Sequence, residues 1–217
     1  MMNEPLNLPD DFDRWAPTYD ADVSAGTGEG DGRFPFDGYD RVLARVVELA
    51  APLPGMAILE LGAGTGNLTA RLVETGAEVW ALDYSGEMLA IARQKVPGAQ
   101  FVQAGLLSDY PDALRRRYAC VASTYTFHEL PLSDKLTLLE RLFADYLQDD
   151  GLVVVGDIGF LDAPAREGIK AAAGDAWDEE YYWLADETAA AADFLGLDHS
   201  WEQVSSCGAV LTFRRSG

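Results

Sequence analysis

Three glycines alternate in the stretch Gly62-Ala63-Gly64-Thr65-Gly66, and Asp83 follows seventeen positions after the last of them (83 − 66). Glycine lets a backbone turn tightly and approach a ligand with no Cβ in the way. Where such a loop opens a helix, free N–H groups and the helix dipole favour an anion, here a carboxylate carried by a cofactor. A carboxylate at Asp83 can accept both hydroxyls of a ribose. Glu60 precedes the loop in an apolar run, and its charge needs a partner that the loop amides can supply. Its expected part is to order the loop or to approach a cofactor amino group. His128 stands at the end of an apolar run, where an imidazole of ordinary pKa suits a general base at neutral pH. The same side chain could instead position a substrate.

Such residues act only where a fold delivers them to one place. From residue 37 onward the apolar positions fall into helix and strand periods. Val42, Leu43, Val46, Val47 and Ala50 predict a helix that Pro52 and Pro54-Gly55 end. Residues 56–62 read as a strand, and the next ten as a helix with Leu68, Leu72 and Val73 inward and Gly76 as its stop. Residues 78–83 read as a second strand, followed by a helix capped by Ser85 that runs to Lys95. Residues 99–104, 118–125 and 152–158 read as further strands. Ser133 is expected to cap a helix whose stripe is Leu136, Leu139, Leu142, Phe143 and Tyr146. Near-continuous apolar strands alternating with helices predict an α/β fold with a doubly wound, mostly parallel sheet. Two terminal strands around Cys207-Gly208 are expected to bring it to seven. Ligands of open parallel sheets bind at the carboxyl ends of strands. Here those ends are Glu60 to Gly62, Asp83, Ala104-Gly105, Tyr125 to Glu129, and Asp157.

Residues 1–36 are expected to form a lid or cover on a domain spanning 37–217. Residues 1–10 read as a tail, 11–22 as a short, partly helical amphipathic segment, and 26–32 as a glycine-rich hinge. The hinge has no Lys-Ser/Thr ending, so it is a poor phosphate loop. On one helix Trp15 and Tyr19 would share a face, either capping the cofactor pocket or packing on the core. Tyr181, Tyr182 and Trp183 fall in an alanine-rich helical region, as acceptor-pocket walls or as the apolar face of a cover helix.

The 217 residues, 48% apolar and 24% charged, suit one globular α/β domain. No apolar run reaches a membrane span of about 18 residues, and the N-terminus lacks the apolar core of a signal peptide. The cytoplasm is the expected location, and no membrane partner is expected. Cys120 and Cys207, with His128 and His199, show no metal-ligand spacing, so no metal is expected. The net charge of −20 repels nucleic acid. Arg115-Arg116-Arg117, the one tight basic cluster, reads as a solvated helix end before a strand.

Two cofactor classes use a strand–glycine loop–helix layout. Dinucleotides prefer G-x-G-x-x-G, whose third glycine would fall at residue 67, which is Asn. The G-x-G-x-G spacing in ILELGAGTGNLTARL, and VWALDYSGEML after it, resemble the first two motifs of the class I S-adenosylmethionine-dependent methyltransferases. FDRWAPTYDADV resembles the entry segment of the ubiquinone/menaquinone-biosynthesis type and of small bacterial relatives. VASTYTFHELP resembles the segment after the fourth strand, often written with a doubled histidine and here His128-Glu129. The resemblance covers residue 12 to the C-terminus. It implies a Rossmann-like fold with a C-terminal antiparallel hairpin, S-adenosyl-L-methionine as cofactor, and a small-molecule methyl acceptor.

The resemblance also implies a cofactor site made of Glu60, Gly62, Gly64, Gly66 and Asp83, with Tyr84 and Met88 as adenine walls and Tyr19 as a cap. Many relatives carry an acid after the third strand; here Gly105 stands at that position. Backbone groups of Gly105 and Leu106 can hold the adenine, and Ser108 or Asp109 can substitute for the acid. His128 is the candidate catalytic residue. A monomer or homodimer is expected. The alternatives are a non-catalytic protein that binds S-adenosylmethionine or S-adenosylhomocysteine, and an NAD-type oxidoreductase, which Asn67 disfavours.

Overall fold

The computed structural model describes residues 9–27 and 33–217, so most of the expected tail and hinge lies outside the described residues. Two short helices come first, α1 (Pro9–Trp15) and α2 (Tyr19–Gly26). Then α3 (Tyr39–Ala50) leads into β1 (Ala57–Leu61), α4 (Asn67–Glu74), β2 (Glu78–Asp83), α5 (Gly86–Lys95) and β3 (Gln100–Gln103). The second half runs β4 (Tyr118–Thr124), α6 (Leu132–Arg141), β5 (Leu147–Phe160), α7 (Ala163–Ala173), β6 (Trp183–Leu184), α8 (Ala185–Leu195), β7 (Leu197–Gln203) and β8 (Gly208–Arg215).

The seven-stranded sheet has the order β3-β2-β1-β4-β5-β8-β7, and two-residue β6 pairs with the end of β5. β3 to β5 are mutually parallel, while β8 runs antiparallel to β5 and forms a hairpin with β7. This is the expected doubly wound architecture. Strand order reverses between β1 and β4, so the carboxyl ends of these strands open a crevice there.

Side chains alternate across each strand, and two cores result. Ile58, Cys120, Ala122 and Val154 face α3 and α4, where they meet Val42, Val46, Leu68 and Leu72. Leu59, Leu61, Val121 and Val153 face the other way, against Leu138, Leu139 and Leu142 of α6 and its extension. Cys120 and Cys207 are both buried and reduced.

Several expected details are corrected. Trp15 ends α1 and Tyr19 begins α2, so they share no helix face; a turn between the helices instead sets their rings edge to face at 4.8 Å. Ser133 lies inside α6 rather than at its cap, because the chain turns helical directly after Pro131. The buried stripe of α6 contains Leu138 and Lys135, and Leu136 is only partly buried. The ammonium of Lys135 donates to the Tyr181 carbonyl and lies 4.2 Å from the Trp183 ring centre. Tyr181, Tyr182 and Trp183 are not helical: Trp183 is core in β6, and Tyr181 is 46% exposed. A 3-10 turn over Asp112–Leu114 precedes the arginine cluster. All three arginines are engaged, Arg115 paired with Asp112 at 3.3 Å, Arg116 stacked 4.1 Å over Trp80 and Arg117 donating to the Leu147 carbonyl.

Candidate active site

The carboxyl ends of β1, β2 and β4 surround a cavity of about 390 Å³. Eight of the ten expected cofactor residues line it: Tyr19, Gly62, Gly64, Asp83, Tyr84, Met88, Gly105 and Leu106. They meet because each strand end delivers one segment to the crevice. After β1 the chain leaves the sheet through Gly62 (φ 70°) and Gly64 (φ 51°), left-handed conformations that suit glycine. A Cβ on Gly62 would lie 2.1 Å from Thr126 Oγ1, so the loop packs directly on the segment after β4.

Asp83, at the end of β2, ties the crevice together. Its Oδ2 accepts from the Gly64 amide at 2.8 Å, and its Oδ1 from the Ser85 amide at 2.9 Å. Burial pushes its carboxyl above the usual range, against the pull of those amides. Each oxygen keeps a further lone-pair site, so two hydroxyls can still be accepted. Ser85 caps α5 as expected, accepting from the Met88 amide. That cap places Met88 on the cavity wall. Ser108 also lines the cavity, but its hydroxyl donates to the Gly105 carbonyl, and exposed Asp109 is not on the wall.

Glu60 and Gly66 are not on the wall. Glu60 shares its sheet face with Ile58, so its side chain points at α4 rather than into the crevice. Its partner is the Thr69 hydroxyl, which donates to Oε2 at 2.6 Å, and not the loop amides. Burial pushes the Glu60 carboxyl up to about 8, so at neutral pH it is a neutral acid. A folded value above the ordinary 4.5 means that stability is full below 4.5 and falls as pH rises through 8. Glu60→Gln, which cannot ionise, should therefore lose less of its thermal midpoint than wild type between neutral and alkaline pH. Equal losses in a pH series of melting curves would show that Glu60 is already charged. Gly66 caps α4 with φ 86°, and a Cβ there would sit 3.2 Å from Ala92, so it serves helix packing.

A second chamber of about 280 Å³ shares Phe12, Tyr19, Tyr125 and Glu129 as walls with the first. His128 lies in this chamber, not in the first. Its Nδ1 is 2.6 Å from Asp157 Oδ1, and its backbone amide donates to Asp157 Oδ2 at 3.0 Å. The Ile158 amide and the Trp183 indole complete a set of donors around this fully buried carboxylate. Burial alone would lower the imidazole's pKa, but the Asp157 carboxylate, aided by Glu180 and Glu129, raises it to about 9. His128 is therefore protonated at neutral pH, contrary to the expectation of an ordinary value. Its Nε2 lies 3.8 Å from both Glu129 and Glu180.

Sequence reasoning missed three participants. Asp157 stood among the strand ends without a role. Glu180 is brought to His128 from 52 positions away (180 − 128), so no local spacing announces it. Glu180 joins His128 and Glu129 in a set of donor atoms capable of holding a cation, all within 4.8 Å of one another. Tyr125 is the third, with a left-handed φ of 50° that is strained for a tyrosine. Its hydroxyl is buried with no hydrogen-bond partner among the described residues.

The first two helices close one side of the cavity. Phe12 and Tyr19 line it. Asp13 accepts from the Ser85 hydroxyl at 2.6 Å. Asp20 accepts from Thr65 at 2.6 Å, Asn67 at 3.1 Å and Lys95 at 2.7 Å.

The chain can now be compared with known proteins. The sequence profile of a methyltransferase domain matches residues 58–151. An uncharacterized methyltransferase of Oceanobacillus iheyensis is 35% identical over 184 residues, covering 80% of this chain and 81% of the relative. One from Geobacillus kaustophilus is 33% identical over 88% of this chain and 89% of its own. The structure of a DhpI–SAH complex superposes with a TM-score of 0.70 at 21% identity, over 96% of this chain and 95% of that one. These findings set aside the oxidoreductase and the non-catalytic binding protein. The glycine loop after β1, the acid after β2 and the sheet order are those of the family to which this chain belongs, the class I S-adenosylmethionine-dependent methyltransferases.

Proposed function

We propose that the larger cavity holds S-adenosylmethionine and that the second chamber presents a small-molecule acceptor for in-line methyl transfer. One observation carries this reading: eight expected cofactor residues line one cavity, and that cavity shares a wall with the chamber containing His128. The cofactor supplies a methyl group activated on a sulfonium. The glycine loop takes the cofactor's amino-acid end, and Asp83 takes the ribose hydroxyls. Met88, Tyr84 and Leu106 wall the adenine, with the backbone of Gly105 and Leu106 replacing the missing acid. The segment resembling the ubiquinone/menaquinone type contributes Phe12 and Tyr19 to the walls and fixes no acceptor. His128, holding a proton at neutral pH, orients the acceptor and carries charge instead of acting as base; alignment and exclusion of water then supply the rate.

Titration calorimetry should show micromolar binding of S-adenosylhomocysteine, on the order of −8 kcal/mol, and none of NAD. Labelled methyl should then pass to a member of a small-molecule acceptor panel. Binding of NAD alone would overturn the reading.

The helices α1 and α2 act as a lid in this scheme. Their polar ties to the core run through Asp13 and Asp20, which solvent can reach, and Phe12, Tyr19 and Val23 supply their apolar contacts. Amide exchange in residues 9–27 should be fast without ligand and slow with S-adenosylhomocysteine, and Asp20→Ala should speed it in both states. Equal protection in all states would mark a permanently docked pair of helices.

A further inference from the structure

We propose that the second chamber selects an acceptor whose methylated atom is a basic amine nitrogen. This rests on the reading above, that the chamber receives the acceptor, and adds its chemical class. Three carboxylates converge on one imidazole: Asp157 at 2.6 Å from Nδ1, and Glu129 and Glu180 each at 3.8 Å from Nε2. Among the described residues lining the chamber, the acids outnumber the single imidazole. Asp11 and Asp178 add acids to the lining, and no lysine or arginine lines the chamber among the described residues. The Glu129 and Glu180 side chains are only 19% and 22% exposed, so water screens them poorly. Such an acidic lining favours a cationic acceptor over an anionic one.

The remaining walls point the same way. Phe12, Trp15, Tyr19, Phe34, Phe36 and Tyr182 surround the space with aromatic rings. Ring faces attract ammonium groups, more strongly when water is excluded. A neutral hydroxyl would use the rings but gain little from the charges. The orphaned Tyr125 hydroxyl, on the wall shared with the cofactor cavity, can accept an N–H. At about 280 Å³ the chamber is just below the ~300 Å³ lower end for small-molecule sites, so the amine is small.

The transfer balances. The ammonium first gives a proton to a chamber carboxylate, from which it passes to water. The nitrogen lone pair then forms the N–C bond, and the C–S bond breaks with its pair left on sulfur. The sulfonium becomes a neutral thioether, and the product is an alkylammonium that keeps the positive charge.

The test is titration calorimetry on protein saturated with S-adenosylhomocysteine, in the presence of EDTA. The probes are small alkyl and aryl-alkyl amines, such as phenethylamine, each with its matched alcohol and carboxylate. At least one amine should bind about tenfold or more tighter than its alcohol, with the carboxylate weakest. Glu180→Gln should weaken that amine about tenfold, leaving the alcohol and S-adenosylhomocysteine unchanged. An alcohol or carboxylate that binds as well as every amine overturns the proposal, as does failure of all the amines to bind. Amine binding seen only without chelator, with Mn²⁺ or Zn²⁺ binding directly in its place, assigns the cluster to a metal instead. Failure to bind S-adenosylhomocysteine would overturn the underlying reading, whereas its binding without amine preference would overturn this inference alone.

Discussion

Asp83→Ala should weaken S-adenosylhomocysteine binding by roughly 100-fold or more, about 3 kcal/mol, the scale for losing two hydrogen bonds to a charged group. Two losses combine. The ribose hydroxyls lose their acceptor, and the glycine loop loses its tie. The Gly64 and Ser85 amides both donate to this carboxylate, so alanine leaves buried N–H groups without their partner. Gly64 holds a left-handed φ of 51°, and its Cβ position is open, so Asp83 is the side chain that holds this residue of the loop in register. Calorimetry and a melting curve on the same variant separate the two losses. A drop in thermal midpoint that S-adenosylhomocysteine cannot reverse shows the loop has collapsed. A folded variant that binds with wild-type affinity would remove Asp83 from the site.

What the sequence made legible follows from how local each feature is. Gly62, Gly64 and Asp83 end adjacent parallel strands, so identifying those strands already puts the residues together. Ser85 is equally local, since its cap closes on Met88 three residues on. The doubly wound order follows from alternation and from the right-handed crossover rule. Glu60 misled because an acid beside a glycine loop invites a role there. Strand parity turns it to the opposite task, and only the fold shows that Thr69 waits on that side. The expected stripe of α6 leaves out Lys135, since a charged side chain reads as surface, yet the Trp183 ring and the Tyr181 carbonyl receive it. Tyr125's strained φ leaves no mark in composition.

The second large effect concerns the pair that sequence alone could not assemble. Asp157→Asn should drop the His128 pKa from about 9 towards its ordinary 6.5, because burial is then opposed only by the more distant Glu180 and Glu129. The proton resonances of the imidazole report this directly. Stability should change with it. His128's folded value lies above its unfolded one, so the pair's contribution is fully present below pH 6.5 and is lost as pH rises through 9. That gap corresponds to on the order of 3 kcal/mol. Wild type should therefore lose stability between these pH values, and Asp157→Asn should begin lower and stay nearly flat. Turnover distinguishes the two roles left to His128. A neutral-pH base would gain from deprotonation, so Asp157→Asn would keep or raise turnover near pH 7. A protonated His128 that orients the acceptor through Glu129 and Glu180 would lose its hold on those carboxylates there, and the Michaelis constant for the acceptor should rise roughly tenfold or more, the scale of one charged contact. His128→Ala should show the same rise with S-adenosylhomocysteine affinity intact, because His128 lines the second chamber and not the cofactor cavity. An unchanged Michaelis constant in both variants would remove His128 from acceptor binding. The geometry predicts otherwise: its Nδ1 side is committed to Asp157, which leaves only the Nε2 edge to meet a substrate, between Glu129 and Glu180.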